Sequence, residues 1–285
     1  MIKTLFGQVK QYKKVSILTP TFTALEVLME VLIPFIISAI IDQGISKGDM
    51  SKIYLYGGIM IVMAMLSLLF GILAGKYAAD ASSGFACNLR DGMYTNIQNF
   101  SFSNIDKFST AGLVTRMTTD VTNIQNAYQM TLRIAVRAPL MLVCSLIMCF
   151  LINAELSLVF VVAICILGLC LGLIMKSAIK IFDVVFKKYD ALNASVQENV
   201  TAIRVVKAFV REDYENDKFK SAANELYRLF VKAESILAFN SPVMMLVIYG
   251  CVIGLSWFGA NLIVVGDLTT GELTSMFSYI MSIMM

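Results

Sequence analysis

Two carboxylates four residues apart, Glu26 and Glu30, are the residues of this chain whose placement invites chemistry. They lie about 11 and 15 residues beyond the basic end of an apolar run, hence ~16 and ~22 Å along a helix at 1.5 Å per residue. The spacing puts both on one helix face. A charged side chain facing lipid at that depth costs at least ~2.5–3.5 kcal/mol, so the pair must face a water-filled cavity or a partner chain. Neighbouring carboxylates raise each other's proton affinity and make a site that favours cations or shares a proton. This predicts that Glu26 and Glu30 line a substrate cavity and attract amphipathic cations. The alternative is that one of them pairs with an arginine or polar group on a neighbouring helix and fixes packing. Asn240, Asn261, Ser275 and Ser278 would add polar lining from the last two apolar segments. The eighteen methionines offer soft, adaptable walls, although methionine in such helices equally serves plain packing.

Other chemistry is excluded by residue type. Histidine is absent, which removes the usual zinc, iron and copper sites and every mechanism built on an imidazole base. Of six cysteines, five (Cys144, Cys149, Cys165, Cys170 and Cys251) lie inside apolar runs, and Cys87 is read as a loop residue. None forms a C-x-x-C pair, so neither metal binding nor dithiol redox chemistry is expected. No G-x-x-x-x-G-K-[ST] run, signature loop or acidic strand end for magnesium is present, so the chain has no ATP site of its own and no catalytic residue. A net charge of +3 with no lysine- or arginine-rich run disfavours nucleic acid.

The elements that must position these residues follow from composition. Of 285 residues, 58% are hydrophobic and 15% charged, too few charges to cover a water-soluble globule. Mean hydropathy is +0.75. Apolar runs long enough to cross ~30 Å of hydrocarbon occupy residues 15–41, 53–79, 131–152, 156–175 and 237–265. A sixth, 273–285, is still apolar where the sequence stops, and reads as a span cut short. The first run ends at Asp42-Gln43-Gly44 rather than at a small-residue cleavage site, so it is a retained helix and not a signal peptide. Lysines and arginines precede the first run or fall within and beside the connections 80–130 and 176–236; only Lys47 and Lys52 lie elsewhere. The positive-inside rule therefore places the N-terminus and both long connections in the cytoplasm of a multi-pass cell-membrane protein. Residues 1–14, with Ile2, Leu5, Phe6 and Val9 at helical spacing beside lysines, suit a short helix along the inner surface; a frayed basic tail is the alternative.

The asymmetry in connection length carries the functional signal. Outer connections are confined to residues 42–52, 153–155 and 266–272, whereas the inner ones are several times longer. Both inner stretches lack proline and repeat apolar residues three and four apart, so they read as helices continuing out of the bilayer. In the second, Ala191, Ala194, Val200, Ile203 and Val206 make a partly apolar stripe beside charges. Two dozen helical residues would project ~35 Å. Each inner stretch is a lever directed at something outside the membrane.

The lever tips carry specific residue patterns. Phe108, Gly112, Leu113, Arg116, Asp120 and Val121 form one; Glu198, Val200, Ile203, Val206, Lys207, Ala208, Phe209, Glu212 and Phe219 form the other. Both resemble the intracellular loops of ATP-binding cassette (ABC) transporters of the type I exporter fold, and with the span order the resemblance covers nearly the whole chain. One position departs, Ala202, where that family usually has glycine, which puts the turn there in doubt. Leu132 to Pro139, with Arg133, Arg137 and Pro139, and Glu198 to Phe219 look most like one subunit of a bacterial heterodimeric multidrug exporter.

The resemblance implies an all-α six-helix membrane domain with long cytoplasmic extensions. It further implies pairing with a second half-transporter, identical or different, around a cavity for small amphipathic molecules. Coupling helices would lie near Ser103, Asn104, Ile105, Asp106, Lys107 and Phe108, and near Val206, Lys207, Ala208 and Phe209, each docking on a nucleotide-binding domain that holds ATP and magnesium. Gly112, Arg116, Asp120, Glu198 and Glu212 would support those tips, although the charged ones could equally be solvated on an exposed helix. The missing ATPase and the shortened sixth span suggest an excised membrane domain; a half-transporter with a separate ATPase is the alternative. The competing readings are a lipid or peptide exporter, a six-span channel, and a membrane sensor that does not transport. The short outer connections leave no room for a filter segment, which argues against the channel.

Overall fold

The computed structural model describes residues 2–101 and 108–284, and every element in them is helical. The chain divides into two compact units, residues 1–157 with 255–285, and residues 158–254. Five helical stretches are long and apolar enough to cross a membrane. The levers are direct continuations of these helices, as the absence of proline and the unbroken periodicity require.

In the first unit, α1 (Ile2–Gly7) leads through a helical turn at Lys10–Tyr12 into α2 (Lys13–Ala39). The short basic helix is pinned down. Val9, Phe85, Ala86, Leu89 and Val121 form a buried cluster, with Leu5, Tyr12 and Tyr128 packed against it. Each fully buried aliphatic or aromatic side chain there is worth ~1.5–3 kcal/mol. Asn88 Nδ2 donates to the Gln8 carbonyl at 2.9 Å, and Gln11 Nε2 donates to Asn88 Oδ1 at 3.2 Å. A Cβ at Gly84 would come within 2.3 Å of the Tyr12 ring, so only glycine admits the aromatic at this crossing. Lys10 sits at φ 39°, a left-handed backbone seldom taken by a non-glycine residue, where the chain turns into α2.

At the opposite end of α2, the backbone widens into a π turn, Ile40–Ile45, and reverses through Gly48 at φ 66°. Asp49 Oδ1 accepts the N–H groups of Ser51 and Lys52 and caps α3 (Met50–Gln98). That helix runs unbroken for 49 residues. Cys87, expected in a loop, is therefore an exposed residue inside α3; the helix simply continues past the apolar segment. Ala74, Ala78 and Ala81 are fully buried, a small-residue face that allows close helix packing within a membrane. Phe22 of α2 stacks on Tyr77 with ring centroids 5.4 Å apart.

The chain returns through α4 (Thr110–Thr115), a π turn (Arg116–Asp120) and α5 (Val121–Ile152). Its last helix here is α10 (Thr270–Met284), packed on α2 and α5. Thr269 and Glu272 form a capping box: Thr269 Oγ1 accepts the Glu272 N–H at 3.1 Å, and Glu272 Oε2 accepts the Thr269 N–H at 2.8 Å. Asp42 completes the cap by accepting from the Gly271 N–H at 2.9 Å and from the Thr269 hydroxyl at 2.6 Å. Further along the same face, Ser275 donates to the Pro34 carbonyl and Tyr279 to the Val31 carbonyl, both at 2.7 Å.

The second unit holds most of α6 (Ala154–Thr201), then α7 (Ile203–Ala208), α8 (Glu212–Ala238) and most of α9 (Asn240–Val265). Three acidic residues in the first turn of α8 complement its positive end. Lys188 of α6 pairs with Glu225 of α8 at 2.8 Å. Between them α7 forms a short crossbar, flanked by Thr201 and Arg211.

Candidate functional site

Two sites emerge, one in the apolar part of the first unit and one at the tip of the second. In the first, Glu26 and Glu30 are brought together as expected, and both meet Arg137 of α5. One guanidinium nitrogen donates to Glu26 Oε1; the other donates to both oxygens of Glu30, at 2.9 and 2.8 Å. This is the arginine pairing that the sequence left open as an alternative. It is incomplete as a neutralisation, since two carboxylates share one guanidinium. Glu26 is only 6% exposed, and its Oε2 has no hydrogen-bond partner. The carboxylate lies against the backbone of Gly71 on α3, where a Cβ would approach Oε1 to 3.0 Å. One turn further, at Gly75, a Cβ would lie 3.8 Å from an Arg133 guanidinium nitrogen. Glu26, Glu30, Gly71 and Arg133, with Leu68 and Ile72, line an open groove of about 470 Å³.

The remaining candidate lining residues are placed differently. Ser275 is fully buried, its hydroxyl committed to the Pro34 carbonyl. Ser278 bonds back to Thr274 within its own helix, and Asn261 is exposed and bonds back to Trp257. Asn240 is exposed at the start of α9 in the second unit. None of these four lines the groove at Glu26 and Glu30.

At the second site, α7 carries Val206, Lys207 and Ala208 and is followed by Phe209 and Val210, whose side chains are exposed by 73% and 81%. Both are large apolar side chains at the turn that closes α7. The tip is held stiffly. Arg211 N–H donates to the Val206 carbonyl at 3.1 Å while Val210 takes φ 53°, a Schellman closure with a β-branched residue at the position glycine normally fills. Ala202 sits at φ −92°, so the alanine that replaces glycine carries no left-handed strain; the positive φ falls at Val210 instead. Lys207 of α7 bonds Glu212 of α8 at 3.0 Å, and Asn199 of α6 donates to Glu215 of α8 at 2.9 Å, so α8 is tied both to the crossbar and to α6. The bond from Lys207, aided by the backbone N–H of Glu212 itself, holds the Glu212 carboxyl below its ordinary range. Glu198 is exposed. Val196, Val200, Ile203, Val206 and Phe219 contribute apolar walls to a cleft of about 400 Å³ between the arms.

Of the first tip, Ser103, Asn104, Ile105, Asp106 and Lys107 lie outside the described residues. Phe108 follows them, stacked on Phe100 with centroids 5.7 Å apart and covered by the Arg116 guanidinium at 5.5 Å. Ser109 caps α4 by accepting the Gly112 N–H at 3.1 Å, and a Cβ at Gly112 would crowd that hydroxyl at 2.9 Å. Asp120 is exposed at the π turn.

Sequence reasoning missed three functional contributors. Arg137 is the partner of both glutamates; with Arg133 it is a basic residue within a segment otherwise built to cross lipid, which is the signal the sequence offers. The Thr269-x-x-Glu272 pattern announces the cap of α10 directly. Gly71 gave no signal, because its need appears only once Glu26 is seen against it.

A profile of the ABC transporter transmembrane region matches residues 16–285. The chain is 33% identical over 254 residues to an uncharacterized ABC transporter ATP-binding protein, YfiB, of Bacillus subtilis, covering 89% of this chain and 44% of that protein. It is 30% identical over 285 residues to an uncharacterized ABC transporter ATP-binding protein of Mycobacterium tuberculosis, covering 100% and 49%. A multidrug resistance ABC transporter ATP-binding and permease protein of Lactococcus lactis subsp. cremoris is 25% identical over 263 residues, covering 90% and 43%. The chain spans about half the length of these relatives. With its membrane-length helices and family-type lever tips, the chain belongs to the transmembrane-region family of ABC transporters and is a multi-pass, all-helical membrane domain.

Proposed function

We propose that this domain is the permease part of an ATP-driven exporter. It forms half of a substrate cavity with a second half-transporter subunit and couples ATP hydrolysis to alternating access for small amphipathic molecules. The observation that carries this reading is the crossbar α7 with Phe209 and Val210, an exposed apolar tip between the two long helices α6 and α8. A stiff helix transmits displacement along its length, so motion of a domain gripping the tip becomes a tilt of the spanning segments. In this reading the partner is a nucleotide-binding domain, both levers and the N-terminus are cytoplasmic, and Phe108 with the segment before it makes the second contact.

No Walker-type run is present in the sequence, and among the described residues no group of three or more His, Cys, Asp or Glu is placed to hold a metal ion. In this reading ATP and magnesium are held by the nucleotide-binding domain, and this chain's part is mechanical. The names of the Lactococcus relatives, multidrug resistance transporters, support small amphipathic substrates. Whether the second subunit is identical or different is a separate question, for which the resemblance of residues 132–139 favours a heterodimer.

A photo-crosslinking amino acid at position 209 in the intact transporter tests the docking. An adduct with a nucleotide-binding domain, suppressed when the transporter is trapped with its ATPases detached, is the expected result. Adducts confined to lipid or to this domain would refute it.

A further inference from the structure

From the charges lining the groove between α2, α3 and α5, we infer that it binds a zwitterion, a primary ammonium joined by a short linker to an anionic group. This deepens the exporter reading and rests on it for the transport step alone; binding is independent of it. Three observations converge. Glu26 and Glu30 share the single guanidinium of Arg137, which leaves one negative charge that this arginine does not cancel. Glu26 Oε2, on a side chain more than nine-tenths buried, accepts from no donor. Arg133 lines the same groove and makes no ion pair among the described residues, so a guanidinium without a contacting carboxylate stands beside the residual negative charge.

The spacing of these residual charges defines the ligand. The Glu26 carboxylate lies over Gly71, and the Arg133 guanidinium over Gly75. Four residues along a helix separate the two by roughly 6 Å. A two-carbon linker between ammonium and phosphate bridges opposite charges on that scale. The accepting side chains select the cation further. Glu30, whose side chain is 28% exposed, presents the accessible half of the pair at the mouth, and the terminal torsion of Glu26 turns softly enough to offer either oxygen. Carboxylate oxygens in an apolar wall require N–H donors, which a primary ammonium supplies and a quaternary ammonium does not. Leu68 and Ile72, exposed by 64% and 59%, extend the groove with apolar surface suited to an attached hydrocarbon.

The test is lipid retention by the intact transporter, purified in detergent without ATP and read by native mass spectrometry. The probes are dioleoyl phosphatidylethanolamine and dioleoyl phosphatidylcholine, which differ in whether the ammonium can donate. At least fivefold preference for the ethanolamine lipid is expected, reduced to near parity in Arg133→Gln and in Glu30→Gln. Equal retention of the two lipids by the unaltered protein would overturn the proposal, whatever the variants do. So would a preference that survives both substitutions. Free O-phosphoethanolamine as competitor separates the sources: displacement of the lipid shows that the head chemistry alone suffices, and failure to displace assigns the site to a lipid-borne zwitterion. Because no nucleotide is used, a negative outcome here leaves the coupling of the levers untouched, and failure of the tip to crosslink leaves this binding result untouched.

Discussion

At Glu26, Glu30 and Arg137, the protein accepts three charges inside an apolar segment by making them answer one another. Removing one member exposes the others: Arg137→Met leaves two carboxylates facing each other, a loss of about 1–3 kcal/mol, less than for a fully buried pair because Arg137 and Glu30 are partly exposed. Thermal unfolding in detergent should show it, and adding Glu26→Gln and Glu30→Gln to the same protein should recover most of the loss. If Arg137→Met is as stable as the parent, the cluster does not hold the helices. Gly271 poses a steric test of the same kind. A Cβ there would fall 2.5 Å from both the Ser38 carbonyl and the Asp42 carboxylate, so Gly271→Ala should cost about 1–3 kcal/mol through forced separation of α2 and α10. The glutamates were legible because a charge in an apolar run is conspicuous. Their partner was not, because pairing depends on which helix faces which, and no local pattern in the sequence encodes that.

Helix ends and junctions decide whether these residues are held in place. The capping box at Thr269 and Glu272 should be worth about 1 kcal/mol, so Thr269→Ala should lower the unfolding midpoint modestly without altering the fold. At Val210, relief of left-handed strain competes with the entropy of glycine. A β-branched residue at φ 53° costs roughly 1–2 kcal/mol, more than the ~0.5–1 kcal/mol that glycine loses in freedom. Val210→Gly should therefore leave the tip as stable or slightly more so while weakening its docking. Acid should loosen the same junction. The Glu212 carboxyl is held below its ordinary range by Lys207, so its contribution is present above the ordinary carboxylate value and is lost as pH falls through the depressed one. A spin label at position 208 should keep constant mobility from neutral pH down to the ordinary carboxylate range and gain mobility only as pH falls below it, a change that Glu212→Gln should flatten. Element order was readable because apolar length and the absence of proline are properties of the sequence itself. The continuity of α3 through Cys87 and the site of positive φ at Val210 rather than residue 202 were not, since both depend on how neighbouring turns close.

For the whole molecule, the central claim is that this membrane domain turns the work of an attached ATPase into transport through its lever tips. The short N-terminal helix α1 contributes by packing against the base of the first unit. Asn88→Leu, which removes the bonds to Gln8 and Gln11, should cost about 1–3 kcal/mol and free α1 from α3, seen as faster proteolysis near residue 10. The most direct measurement is ATP-driven accumulation of an amphipathic dye in inside-out vesicles holding the intact transporter, compared with ATP hydrolysis in the same vesicles, before and after Phe209→Ala. The account predicts that accumulation falls at least tenfold while hydrolysis remains within about twofold, a coupling loss of ~1.4 kcal/mol or more. Accumulation that survives Phe209→Ala unchanged, or that proceeds in the unaltered transporter without ATP, would contradict it.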